Sequence, residues 1–237
     1  MGMRRGRGLL AALLGMGVAG GALAAGSVWN AGGGEQELAL SLKPNPEHAV
    51  GVYEVCAACH MPEGWGTPDG VFPQLAGQHR NVLIKQLADI RAGNRDNPTM
   101  YLFSTEGVIG GAQSISDVAD YISRMPMNPR NGKGAGTDLA HGEALYRDNC
   151  VRCHGERGEG SNDQYVPRIQ GQHYEYMLRQ FRWIRDGRRR NANPDMARQI
   201  ANFNDRDTAA VIDYVSRLPP PREMVAPSPA YTNPDFR

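Results

Sequence analysis

Aromatic residues make up only 7% of this 237-residue chain, and cysteine appears four times. All four cysteines fall inside two short motifs, Cys56-Ala57-Ala58-Cys59-His60 and Cys150-Val151-Arg152-Cys153-His154. None is left for a structural disulfide, so packing and whatever the motifs bind must hold the fold together. Net charge is also nearly absent, 26 Lys+Arg against 25 Asp+Glu. Together with the export signal described below, this argues against a nucleic-acid partner. A convincing two-residue alternation of apolar and polar side chains is lacking too, which leaves helix as the regular structure.

Each motif reads as a covalent haem attachment site. Thiols at i and i+3 can form thioether bonds to the two vinyl groups of one porphyrin, and the adjacent histidine presents its imidazole to the iron from the same side. The alternatives are a zinc site or a redox dithiol. Zinc ribbons pair their Cys-x-x-Cys units within about twenty residues, and neither alternative explains a histidine after both pairs. Two haem c groups are expected, attached through Cys56 and Cys59 and through Cys150 and Cys153, with His60 and His154 on the irons.

The motifs belong to a longer duplication. At a constant offset of 94, Phe72-Pro73-Gln74-Leu75-Ala76-Gly77-Gln78-His79 aligns with Val166-Pro167-Arg168-Ile169-Gln170-Gly171-Gln172-His173. An amphipathic helix follows in each copy, with Leu83, Ile84, Leu87 and Ile90 matched by Met177, Leu178, Phe181 and Ile184 at helical spacing. Gly93 and Gly187 are placed to cap them. Upstream, Glu47 to Val55 and Gly142 to Asn149 read as the helices that deliver the motifs. Downstream, Val118 to Arg124 and Val211 to Arg217 read as closing helices stopped by Pro126 and Pro219.

Past the glycine caps the offset becomes 96, pairing Asn97-Pro98-Thr99-Met100 with Asn193-Pro194-Asp195-Met196. A methionine recurring in a matched loop after each haem motif points to Met100 and Met196 as sixth ligands. A thioether opposite histidine favours ferrous iron and raises the potential. Methionine as core filler is the alternative, but the repeat favours ligation. His79 and His173 are duplicated as well, so bis-histidine ligation is the rival; opening a helix, each is expected instead as an exposed or capping polar residue. His48 and His141 read as surface residues.

Arg4, Arg5 and Arg7, the apolar run from Leu9 to about Ala19, and Ala22-Leu23-Ala24 form an export-signal pattern, with cleavage expected after Ala24. Uncleaved, Leu9 to Trp29 approaches the ~20 residues of a membrane span. The expected organisation is a leader over 1–24, a flexible lead-in over 25–46, one domain over 47–127, a Gly- and Pro-rich linker over 128–137, a second domain over 138–221, and an extended or disordered Pro-rich tail over 222–237. Residues 25–130 carry 7 Lys+Arg against 11 Asp+Glu, while residues 131–237 carry 16 against 14. Such polarity can steer docking. The densest cluster, Arg185 to Arg190, reads equally as a solvated helix end or a partner site.

With these residues in hand, the chain resembles the dihaem c4-type cytochromes c, two class I cytochrome c modules in tandem, over about residues 47 to 220. The likeness is carried by both Cys-x-x-Cys-His motifs, by Phe72 to Gln78, by Lys85-Gln86-Leu87-Ala88-Asp89-Ile90-Arg91-Ala92-Gly93, and by the methionine loops. The resemblance implies an all-α fold of two tandem cytochrome c-like domains, each wrapped around one covalent haem. It further implies His60 and Met100 on one iron, His154 and Met196 on the other, and haems close enough for internal electron transfer. Met61 departs from the family, where glycine often follows the motif. The implied function is a periplasmic, soluble or membrane-tethered, single-electron carrier between a respiratory or oxidative donor and a terminal oxidase or reductase, with no catalysis of its own. A permanent cytochrome subunit of an oxidoreductase complex is the alternative, and a dihaem peroxidase or thiosulfate dehydrogenase a third reading. Redox proteins are the expected partners.

Overall fold

The structure, a computed structural model, describes residues 1–2 and 34–236; the expected leader falls outside them apart from Met1 and Gly2. The first half contains α1 (Gly34–Ser41), α2 (Pro46–His60), α3 (Arg80–Arg91), α4 (Pro98–Ser104), α5 (Glu106–Ile109) and α6 (Ala112–Arg124). The second contains α7 (Leu139–Asn149), α8 (Val151–His154), α9 (Tyr174–Arg185), α10 (Pro194–Ile200) and α11 (Asp205–Ser216). Among the described residues the β pairing is limited to two isolated bridges. The fold is therefore all-α, as the missing alternation implied.

Local chemistry sets the helix boundaries. Asn45 caps α2 by accepting from the Glu47 and His48 amides, with Pro46 at the first helical position where its missing N–H costs nothing. Asn204 and Asp207 form a reciprocal capping box at the start of α11. Gly93 and Gly187 both take φ 72° just beyond α3 and α9, the left-handed turn that a glycine C-cap provides. The apolar stripes of α3 and α6 close one core around Tyr53, Ile84, Ile115 and Val118. Those of α9 and α11 close another around Tyr146, Phe181, Val211 and Val215.

Two segments differ from the sequence expectation. Within the lead-in, residues 34–41 are helical and packed: Ala39 is fully buried, Arg80 Nη2 donates to the Ala39 and Leu42 carbonyls at 3.2 Å, and Arg91 pairs with Glu35. Its stability comes from docking on α3 and α6, which the glycines and prolines around it conceal. The Pro-rich tail is extended but ordered against the rest of the chain. Met127 donates to the Met224 carbonyl at 2.7 Å and accepts from the Ala226 amide at 2.9 Å. Farther on, buried Asn233 donates to the Pro62 carbonyl at 2.8 Å, and Phe236 meets Tyr53 edge to face. Proline lowers the entropy of the free tail and so the cost of laying it down.

The halves face each other across a pseudo-twofold axis that maps residue i onto i+94. Gln74 donates its amide to Gln172 Oε1 at 3.0 Å, and Gln172 Nε2 donates to the Gln74 carbonyl at 2.8 Å. The mates repeat this: Arg168 donates its amide to Gln78 Oε1 at 2.9 Å, and Gln78 Nε2 returns to the Arg168 carbonyl at 2.8 Å. Likewise His79 Nε2 donates to the Glu159 carbonyl at 2.7 Å and His173 Nε2 to the Trp65 carbonyl at 2.6 Å. Both histidines are thus interface residues. His173 is fully buried, and neither caps its helix through a side-chain bond, contrary to the exposed or capping role expected of them. This is an isologous contact, as in a twofold dimer, here made within one chain.

Candidate haem sites

The first site is a slot lined by Val55, Cys56, Cys59 and His60 from α2, Leu87 from α3, Met100, Phe103 and Ser104 from α4, and Ile109 from α5. α2 runs unbroken through its motif, which puts both thiols and the imidazole on one wall. His60 is buried, and its Nδ1 donates to the Pro73 carbonyl at 3.0 Å. That bond fixes the ring and directs Nε2 away from Pro73, as an orienting partner does for a metal-bound histidine. Met100 lines the same slot from α4. Asn97 caps α4 by accepting the Met100 amide at 3.3 Å, and Pro98 starts the helix, so the Asn-Pro-x-Met signature is a helix start and the methionine is helical rather than in a loop.

The second site repeats this with one change. The helix breaks at Cys150, between α7 and α8, yet His154 is still buried and its Nδ1 donates to the Pro167 carbonyl at 3.1 Å. Cys150, Val151 and Met196 pack against the second core beside Leu178 and Phe181. Asn193 accepts from the Asp195 amide at 2.8 Å and starts α10. In the first half Cys56, Cys59, His60 and Met100 line one slot; in the second, Cys150 and Met196 pack against one core, with Cys153 and His154 on the adjoining α8.

Electrostatics suit an apolar, covalently held group. Burial pushes the Cys56 and Cys150 thiols up to about 12, so neither is set up as the thiolate of a redox dithiol. Burial also holds the His60 and His154 imidazoles below the ordinary histidine range, which keeps them neutral, the form that ligates iron. Among the described residues no group of three or more His, Cys, Asp or Glu side chains is placed to hold a bare metal ion. The lining of the first slot suits a porphyrin instead: it is largely apolar and brings together two thiols, an imidazole and a thioether.

A cytochrome c family model matches residues 139–219. Cytochrome c4 of Azotobacter vinelandii is 31% identical over 180 residues, 69% of this chain and 84% of that protein. This chain belongs to the cytochrome c4 family. A thiosulfate dehydrogenase electron acceptor from Stutzerimonas stutzeri is 32% identical over 178 residues, 69% of this chain and 78% of that one. The crystal structure of reduced cytochrome c4 from Pseudomonas stutzeri superposes with a TM-score of 0.65 at 28% identity, covering 74% of this chain and 100% of the other. As a family member the chain carries two covalent haem c groups and serves electron transfer.

Sequence reasoning missed a polar cluster between the halves. Arg95 donates to Gln86 Oε1 at 3.0 Å and to Gln180 Oε1 at 3.3 Å. Its mate Arg189 donates to Gln180 Oε1 and Gln86 Oε1, each at 2.9 Å. Arg95 also reaches the Tyr176 hydroxyl at 3.3 Å, and Asn191 bridges from Gln86 to Asp89, whose carboxylate pairs with buried Lys85 at 2.6 Å. Burial, with Arg95 beside it, brings the Arg189 guanidinium down to about 9. Tyr176 responds oppositely: burial would raise its hydroxyl, but Arg95 and Arg189 hold it below the usual phenol value. Within the Arg-rich run, then, Arg189 is neither solvated helix end nor partner site, and Arg190 donates to the Gly93 carbonyl of the other half. The offset of 94 between Arg95 and Arg189 was the available signal.

Proposed function

We propose that the chain is a periplasmic carrier that moves single electrons through two haems, one ligated by His60 and Met100 and the other by His154 and Met196. The carrying observation is the first slot, which is lined by His60 from α2 and Met100 from α4 together with Cys56 and Cys59. Two protein ligands close the iron to exogenous molecules and leave it to change only its oxidation state. Catalysis would need an open position, so the chain itself is not an enzyme. When bound, the haem supplies the one-electron couple. The protein's part is to hold the ligands, exclude water through Leu87 and Ile109, and set the approach of partners. The two compact units lie within 47–127 and 138–221, and the first is extended by the helix over 34–41.

The donor is a dehydrogenase or a quinol-oxidising complex, and the acceptor a terminal oxidase or reductase. Similarity to a thiosulfate dehydrogenase electron acceptor favours a sulfur-oxidising dehydrogenase among the donors to test first. A second reading, a fixed subunit of such a complex, draws on one observation. Tyr101, Leu102 and Val108, beside the first slot, are 47, 66 and 49% exposed, an apolar edge that a lasting partner would cover. Among the described residues no helix is long and apolar enough to cross a membrane.

The near-infrared charge-transfer band of ferric His–Met haem tests the ligands. Met100→Ala is expected to remove about half of it and His79→Ala to leave it whole. Full survival in Met100→Ala contradicts the assignment.

A further inference from the structure

Haem binding does not require an apolar outer edge on the methionine helix, because the second half lacks one. At the offset of 96 that pairs Met100 with Met196, Tyr101, Leu102 and Phe103 correspond to Ala197, Arg198 and Gln199. Arg198 and Gln199 are exposed, and Arg198 pairs with Asp195. Among the described residues the second half also has no helix matching α5. In the first half the same positions are apolar. Tyr101 and Leu102, consecutive on α4, are exposed, as is Val108 on α5, which packs against α4. Phe103 lines the slot, so the patch adjoins the first haem site. Neither the fold nor the ligands call for these side chains, and a cluster of exposed apolar groups beside a redox site fits a surface met from outside.

The rim of the patch carries one sign. Asp96 precedes α4, Glu106 opens α5, and Glu54 adjoins Val55 in the slot lining; all three are exposed, and none forms an ion pair among the described residues. The bases of this half are turned inward or matched, with the exception of Lys43. Arg80 donates to the Ala39 and Leu42 carbonyls. Lys85 pairs with Asp89, Arg91 with Glu35 and Arg124 with Asp120, and Arg95 is buried. Arg91, the base nearest α4 and α5, also donates to the Ser104 and Gly110 carbonyls. A second copy of this chain is a poor occupant, since a twofold contact would set carboxylate against carboxylate. The complement is a surface with an apolar centre and a rim of Lys or Arg. Three apolar side chains make a small contact, in the range below about 1,200 Å² that brief electron-transfer encounters use.

We propose that Tyr101, Leu102 and Val108, with their rim of Glu54, Asp96 and Glu106, form a docking face for a redox protein whose contact surface is apolar at the centre and basic at the rim, and that electrons cross this face at the first haem. The proposal rests on the carrier reading, with the first haem in its slot.

The test uses the full dihaem protein, reduced and then oxidised in stopped flow by tris(phenanthroline)cobalt(III), an apolar trication that takes one electron from a ferrous haem and becomes cobalt(II). Ferricyanide is the anionic counterpart. Leu102→Lys should slow the cobalt oxidation roughly tenfold at low ionic strength without slowing the ferricyanide reaction. Asp96→Asn combined with Glu106→Gln should flatten the fall of the cobalt rate with added salt. Gln199→Lys, at the mate of Phe103, should leave the cobalt rate at the parent value. An unchanged cobalt rate in Leu102→Lys, an equal loss with ferricyanide, or the same loss in Gln199→Lys overturns the docking face. Sedimentation of the parent should show a monomer at every concentration; a dimer that Leu102→Lys dissolves makes a second copy the occupant and overturns it too. Leu102 is exposed, so the variant keeps its fold. The near-infrared methionine band, read in the same samples, separates the two readings: an intact band with an unchanged cobalt rate refutes the docking face alone, and its absence from the parent refutes the ligation on which the face depends.

Discussion

Met61 sits at φ 67°, ψ 156° directly after the first proximal histidine, and its counterpart Gly155 has φ 77°, ψ 170°. This corner of backbone space is essentially reserved for glycine, and an L-residue there costs on the order of 1–3 kcal/mol. The surroundings enforce it: the Tyr53 hydroxyl donates to the Met61 carbonyl at 2.8 Å, and the Gly64 amide donates to the same oxygen at 2.9 Å. The Met61 side chain is 36% exposed, so Met61→Gly removes only part of a buried surface. Glycine also gains freedom in the unfolded chain, which offsets roughly 0.5–1 kcal/mol. The balance is a stabilisation of about 1 kcal/mol, or a rise of about 2–4 °C in Tm for a protein of this size. Guanidinium denaturation of the haem-loaded protein, followed by far-ultraviolet circular dichroism, should show a higher midpoint at unchanged slope. The mirror variant Gly155→Ala should lose about 1–3 kcal/mol. Its new Cβ would meet the end of the Glu159 side chain, which can swing away, so the loss would report backbone strain. A lower midpoint for Met61→Gly, or an unchanged one for Gly155→Ala, refutes the reasoning.

Gln172→Ala should cost about 2–4 kcal/mol, since it strips partners from the Gln74 amide and carbonyl and from the His173 amide in a closed interface. Its mate Gln78→Ala should cost less, because Gln78 is only half-buried and water can replace it; equal denaturation midpoints for the pair would contradict this. His173 accepts from the Gly132 amide through Nδ1 at 2.9 Å and donates through Nε2, so it must be neutral, and burial depresses its pKa. The unfolded value is about 6.5, so the stability tied to the neutral ring is present above that pH and is lost as pH falls through the depressed folded value. Denaturation midpoints at pH about 7.5 and about 5 should therefore differ more in the parent than in His173→Asn; an equal difference rejects the linkage. The excess of base over acid in residues 131–237 should make the second haem the higher in potential, by a modest margin because exposed charges are screened over about 8 Å at physiological salt. In Met196→His the wave that drops should be the higher of the parent's two.

The haem motifs, the stripes of α3 and α9 and the matched Asn-Pro-x-Met segments were legible because each is a local pattern repeated twice. What the sequence hid was non-local. The helix over 34–41 depends on carbonyls gripped by Arg80, a residue far along the chain. The tail over 222–236 looks unstructured by composition yet finds Met127 and Tyr121. His79 and His173 looked like polar helix starts, and their partners Glu159 and Trp65 lie 80 and 108 residues away. Even so, the repeat offset held the key to these last pairs. A duplicated polar residue that has no role at either haem has to act where the copies meet.

Carbon monoxide addition to the fully reduced protein tests the electron-carrier account most directly. If Met100 and Met196 close both irons as proposed, the ferrous spectrum should remain unchanged at near-neutral pH, while reductive titration delivers two electrons per chain in two one-electron steps. A carbon monoxide adduct at either haem would reveal an open iron and contradict the account.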